Sequence, residues 1–193
     1  MNKDLHFSSE SNEWGTPKYL FKYLNRYFNF SLDPCCTKET ALCKKYFTPK
    51  ENGLAQSWAD QSVFMNPPYG RDIGEWVEKA FSEATKNNAT VVCLLPARTD
   101  TAWFWNYCRH GYISFLQGRL KFSSSKDKKS STAPFPSMLV IFYPNKGFMP
   151  KPFYNSLFDI DHKKMSRLEF PKKDTSVRIA CKINKEKSWE IPL

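Results

Sequence analysis

The chain has 193 residues, 41% apolar and 25% charged, the size and balance of one folded domain rather than of a disordered or fibrous protein. No apolar run approaches membrane-spanning length, and the opening MNKDLHFSSESNEW holds no apolar signal core, so the chain reads as cytoplasmic. The net charge of +10 is confined: residues 118–132 set Arg119, Lys121, Lys126, Lys128 and Lys129 against Asp127, and residues 144–193 set eleven basic against six acidic residues. Such clustering suits a polyanionic partner, and equally suits a solvated loop and tail.

In chain order, residues 1–13 are polar. WGTPKYLFKYLNRYF then places Tyr19, Leu20, Tyr23, Leu24, Tyr27 and Phe28 at helical spacing, with Thr16 suited to cap the helix and Pro17 to its first position. Phe28, Phe30 and Leu32 alternate into Asp33-Pro34, which predicts a strand ending in an acid and a turn. Residues 37–60 predict a short helix around Glu39–Lys45 and a turn at Asn52-Gly53.

SVFMN (62–66) predicts a strand that runs straight into Pro67-Pro68. Residues 72–87 form an amphipathic helix through Ile73, Trp76, Val77, Ala80, Phe81 and Ala84. TVVCLLP (90–96) is the near-continuous apolar run of a strand buried on both faces. Thr99 or Asp100 is placed to cap a helix through Trp103, Phe104, Tyr107 and Cys108. YISFL (112–116) and SMLVIFY (137–143) read as two strands joined by the basic, serine-rich loop.

Strands alternating with helices predict an α/β fold with a mostly parallel sheet, and the last two strands predict an antiparallel pair at one edge. Ligands of such sheets bind beyond the carboxyl ends of the strands, so Asp33-Pro34 and Asn66-Pro67 are expected to meet in one crevice. Cys35, Cys36 and Cys43 lack the paired spacing of a zinc site and no histidine lies near them, so no metal is expected and the six cysteines read as reduced thiols.

NPPY at 66–69, placed after a strand and ahead of an amphipathic helix, carries the chemistry. Proline fixes its own φ and pushes the preceding residue to an extended conformation, so the polar amide of Asn66 and the ring of Tyr69 stand on a stiff corner. Here the sequence resembles the amino-methyltransferases that use S-adenosylmethionine, and more closely the phage-type DNA N-6-adenine methyltransferases. The resemblance rests on EWGTP (13–17), LDPC (32–35), YFT (46–48), NGL (52–54), NPPYG (66–70), WVEKA (76–80), LLPARTDT (94–101), GRLKF (118–122) and APFPSMLVIF (133–142).

The resemblance implies a compact Rossmann-like class I methyltransferase sheet with helices on both faces, S-adenosylmethionine as cofactor and DNA as partner. Asn66 and the Pro67 carbonyl would accept the two hydrogens of an adenine amine, Pro68 would shape the loop, and Tyr69 would stack on a flipped-out base. Asp33, Pro34 and Cys35 would face the methionine end of the cofactor, with Thr16, Pro17 and Trp14 helping to hold it. Arg98, Arg119, Lys121, Lys126, Lys128 and Lys129 are the candidates for DNA phosphate contact. The chain departs from the family pattern in having no glycine-rich loop after Asp33 and in carrying Asn52 before Gly53-Leu54. Glu51 or Asp60 is left as the acid for the cofactor ribose. Residues 1–144 are read as the methyltransferase core and 145–193 as a basic extension packed on the same domain. A monomer in the cytoplasm of a bacterial host is the default reading. Transfer to cytosine N-4 or protein glutamine, or a catalytically inactive DNA-binding relative, stand as alternatives.

Overall fold

The computed structural model describes residues 15–123 and 130–144. Along the chain it contains α1 (Lys18–Phe28), β1 (Leu32–Asp33), β2 (Lys45–Tyr46), β3 (Ser62–Met65), α2 (Ile73–Lys86), β4 (Thr90–Pro96), α3 (Ala102–Asn106), β5 (Tyr112–Phe115), β6 (Lys121–Ser123), β7 (Ser130–Thr132) and β8 (Ser137–Phe142). Six strands form one sheet in the order β2-β1-β3-β4-β8-β5, and β6 pairs with β7 as a separate hairpin. The strands β2, β1, β3 and β4 run parallel. Strand β8 is antiparallel to both β4 and β5, which gives the expected antiparallel edge.

Periodicity explains which segments do this. Strand β4 is buried at every position after Thr90, as a strand covered on both faces requires. Helix α2 turns Ile73, Val77, Ala80 and Ala84 inward, and α1 does the same with Leu20, Phe21 and Leu24. The sheet register puts these helices on opposite faces. Phe21 of α1 meets Phe64 of β3 edge-on at 5.3 Å. Phe81 of α2 meets Phe142 of β8 at 5.6 Å. Phe64 pairs across to Val92 and so to Ile141, whereas Phe142 pairs with Val91, the residue next to Val92. Neighbouring residues on a strand point to opposite faces.

Several local expectations need correction. The segment around Glu39–Lys45 is not a helix. The Phe47 N–H bonds the Asp33 carbonyl, and the Cys36 N–H bonds the Phe47 carbonyl. The Leu42 N–H is taken by the Asp33 carboxylate. These long-range bonds stretch the segment out and lay β2 beside β1. The first strand is only Leu32–Asp33, because Phe28 closes α1 and Asn29 caps it in a left-handed conformation (φ 46°). Helix α3 starts at Ala102 and stops at Asn106, and Cys108 falls in a short 3-10 turn instead. The link between β5 and β8 carries the β6–β7 hairpin rather than a plain loop.

A buried carboxylate ties α2 to the segment ahead of β3. Glu83, 3% exposed, accepts the Trp58 backbone N–H at 3.1 Å, the Asn87 side-chain amide at 3.0 Å and the Lys79 ammonium at 2.5 Å. Trp58 is itself fully buried and donates its indole N–H to the Gly53 carbonyl at 3.0 Å. Glu83→Ala would orphan the buried Trp58 N–H and the Lys79 charge together. We expect a loss of about 3 kcal/mol in urea unfolding, with Glu83→Gln, which still accepts, losing less. Equal stability of the Ala variant would contradict this role.

Candidate active site

The carboxyl ends of the neighbouring strands β1 and β3 open onto a cavity of about 560 Å³, a volume suited to a nucleoside-sized ligand. Asp33, Pro34 and Cys35 line it from the end of β1, and Asn66, Pro67 and Pro68 from the end of β3 beside it. The two sequence motifs therefore meet where the strand-end rule places them. Gly15, Thr16 and Asn52-Gly53-Leu54 line it as well. Asn52 adopts a left-handed φ of 52°, which turns the chain into the wall at Gly53.

Four carboxylates, Asp33, Glu39, Asp72 and Glu75, and neither lysine nor arginine, are found among the described residues lining the cavity. In a protein of net charge +10 this is a local reversal of sign, and it favours a cationic ligand. Glu39 is held below the ordinary carboxylate range by backbone and Thr37 hydrogen bonds. Asp33, 4% exposed, behaves in the opposite way. Burial pushes it up to about 6, although the Leu42 and Cys35 backbone N–H groups pull it down. The Cys35 thiol is pushed well up, by burial first and then by the nearby Asp33 charge, so it is not a reactive thiolate.

Asn66 sits just past the end of β3, and its side chain is held at both ends. Its Nδ2 donates to Thr16 Oγ1 at 2.9 Å. Its Oδ1 accepts from the Tyr69 hydroxyl at 2.8 Å, and that hydroxyl is also 3.1 Å from the Leu94 carbonyl of β4. Tyr69 is 7% exposed. Its ring is flanked by Phe135 at 5.4 Å and Phe122 at 6.3 Å, both steeply tilted against it. A base reaches that ring only after one of these neighbours moves. Burial drives the Tyr69 phenol well above its ordinary acidity range, so it remains a neutral donor.

The residues expected from the sequence divide accordingly. Thr16, Asp33, Pro34, Cys35, Asn66, Pro67 and Pro68 line the cavity, Tyr69 lies behind it, and Pro17 is a buried residue at the start of α1. Trp14, Lys126, Lys128 and Lys129 lie outside the described residues, as does the extension from 145. Arg98, Arg119 and Lys121 are exposed; Leu120 and Phe122 alternate with the last two and are buried, so Arg119 and Lys121 share an outer face. Neither Glu51 nor Asp60 lines the cavity. The Glu51 carboxylate is taken by the Thr48 N–H and hydroxyl, and Asp60 by the Asn88 amide at 2.6 Å. Glu39, Asp72 and Glu75 carry no motif in the sequence; the last two stand at the start of α2, six and nine residues past Asn66, and that proximity is the signal that could have found them.

Similarity to known proteins points the same way. The family model described as DNA N-6-adenine-methyltransferase (Dam) matches residues 6–168, which runs past residue 144, the end of the core as read from the sequence. A DNA N-6-adenine-methyltransferase of Haemophilus phage HP1 (strain HP1c1) is 31% identical over 171 residues, covering 86% of this chain and 98% of that protein. A protein of the same name from Escherichia phage T1 is 38% identical over 94 residues, 47% of this chain and 38% of that protein. The putative methyltransferase YfdM of Escherichia coli (strain K12) is 34% identical over 76 residues, 35% of this chain and 84% of that protein.

Proposed function

Because the chain belongs to the DNA N-6-adenine-methyltransferase family, we propose that it transfers a methyl group from S-adenosylmethionine to the exocyclic amine of an adenine turned out of the DNA. The observation that carries this reading is that the Asn66-Pro67 corner and Asp33 line one cavity rich in carboxylates. When bound, S-adenosylmethionine would supply an electrophilic methyl on its sulfonium: the N–C bond would form as the S–C bond breaks, the neutral thioether would leave as S-adenosylhomocysteine, and the amine's surplus proton would pass to solvent.

The residues present fit that cofactor. Its sulfonium and ammonium charges match a lining rich in carboxylates, and Asp33 is the enclosed acid for the ammonium end. The chain's own part in the reaction is positioning. An adenine amine is a poor nucleophile because its lone pair is delocalised into the ring. A carbonyl oxygen has two lone pairs, so Asn66 Oδ1 accepts an amine hydrogen while keeping the Tyr69 hydroxyl. The Pro67 carbonyl takes the other hydrogen. With both hydrogens held, the lone pair is turned toward the methyl, and the two fixed acceptors stabilise the positive charge that develops on nitrogen. Arg98, Arg119 and Lys121 are proposed to meet DNA phosphates. Among the described residues no helix is long and apolar enough to cross a membrane, and action in the cytoplasm of a bacterial host accords with the phage relatives.

Incubation with methyl-labelled S-adenosylmethionine and DNA, followed by digestion to nucleosides and mass spectrometry, tests the reading. N-6-methyladenine is expected. Label in cytosine, or in protein alone, would overturn it.

Asp33 makes cofactor binding depend on pH. Its folded-state value of about 6 lies above the ordinary 3.8. The ligand-free protein therefore gains stability from Asp33 below pH 4, and loses it, by about 3 kcal/mol at most, as pH rises toward 6. A cationic ligand favours the ionised form, so affinity should rise through pH 6 and level off above it. Thermal shifts induced by S-adenosylhomocysteine at pH 5 and pH 7.5 check this. A larger shift at the lower pH would refute the assignment.

A further inference from the structure

Thr16 sits where a helix N-cap is expected, ahead of Pro17 and the apolar stripe of α1. Threonine at that place ordinarily gives its side-chain oxygen to a free N–H of the first turn. It does not do so here. The helix opens at Lys18 with Pro17 as its cap residue and no side-chain cap bond. The Leu20 and Phe21 N–H groups are satisfied by the Pro17 carbonyl alone. The Thr16 hydroxyl instead reaches across fifty residues of sequence to accept the Asn66 Nδ2 proton at 2.9 Å. A local preference set aside in favour of one long-range bond to a site residue marks that bond as functional.

The bond has a specific consequence. The Asn66 amide can rotate by half a turn, exchanging its acceptor and its donor. Tyr69 donates to the oxygen at 2.8 Å, and Thr16 takes a proton from the nitrogen. The Asn66 backbone N–H is turned to the Cys35 sulfur, so the residue is held from three directions. The two bonds together hold the oxygen on the side where it can accept an amine hydrogen, and loss of the Thr16 partner leaves the nitrogen end unheld.

Resting on the proposed function, we infer that Thr16 is a positioning residue for the catalytic amide of Asn66, and not chiefly a cofactor ligand. The two roles separate in kinetics. A positioning residue moves kcat while leaving cofactor affinity in place, whereas a cofactor ligand does the reverse.

The test compares Thr16→Val, which keeps the shape and removes the hydroxyl, with Thr16→Ser, which restores it. Melting temperatures are measured first, S-adenosylhomocysteine affinity by calorimetry second, and adenine methylation third. Thr16→Val is expected to lower kcat roughly tenfold or more, with affinity within about twofold of wild type, and Thr16→Ser to recover most of the rate. Unchanged kcat in Thr16→Val, a loss of affinity with kcat kept, or no rescue by serine would each overturn the inference. If Thr16→Val fails to fold, Thr16→Ser against Thr16→Ala is read on the same two axes. A wild-type protein that methylates no adenine would instead bring down the functional reading on which the inference stands.

Discussion

Asn66→Ala should lower kcat by about a thousandfold and leave cofactor affinity within a few fold. The alanine removes one of the two acceptors proposed to hold the adenine amine. Loss of a single preorganised hydrogen-bonding group at a reacting centre costs about a hundred- to a thousandfold in rate. Asn66 also anchors Tyr69 and Thr16, so the alanine loosens both neighbours and the upper end of that range applies. Asn66→Asp is the informative companion. It keeps an acceptor facing Tyr69 but offers Thr16 no proton when ionised, so an intermediate rate is expected. Single-turnover methylation with saturating cofactor and DNA measures both. An Asn66→Ala enzyme of wild-type rate would remove the amide from the chemistry.

Gly53→Ala should weaken cofactor binding at least tenfold and destabilise the fold by about 2 kcal/mol. A Cβ at this position would lie 1.9 Å from the Pro34 carbonyl oxygen and 3.2 Å from the Trp76 ring. The first contact is with backbone, so no side-chain rotation relieves it. Overpacking of this kind costs about 1–3 kcal/mol. The strain has a direction, since Pro34 and Gly53 form adjoining walls of one cavity. Separating them displaces the Asp33-Pro34 wall, while the Trp58 indole holds the Gly53 carbonyl in place from behind. Calorimetry with S-adenosylhomocysteine and a urea melt give the two numbers. Wild-type affinity in a folded Gly53→Ala protein would show that this wall takes no part in binding.

The fold was legible where side-chain periodicity decides it. The continuous apolar run of β4 and the stripe of α2 fix their own class, and the ends of β1 and β3 then bring Asp33 and Asn66 to one cavity. What escaped is what backbone pairing decides. Lys45–Tyr46 forms a strand because Asp33, Cys36 and Phe47 exchange main-chain bonds, and a two-residue strand leaves no periodic trace. Thr16 and Pro17 read as a helix start by residue type, yet the hydroxyl is drawn away by a residue fifty positions on. The acids of the cavity were hidden for a related reason. Asp33, Glu39 and the Asp72/Glu75 pair come from three separate segments and converge only in three dimensions, inside a chain whose total charge has the other sign.

The central claim is that the methyl donor occupies the space between Asp33 and Asn66, at the mouth of a rigid polar corner. A crystal structure with S-adenosylhomocysteine tests it most directly. The account predicts the ligand in this cavity, its amino group toward Asp33 and its sulfur at the Asn66 end. Ligand bound at another surface, with this cavity left to solvent, would contradict it.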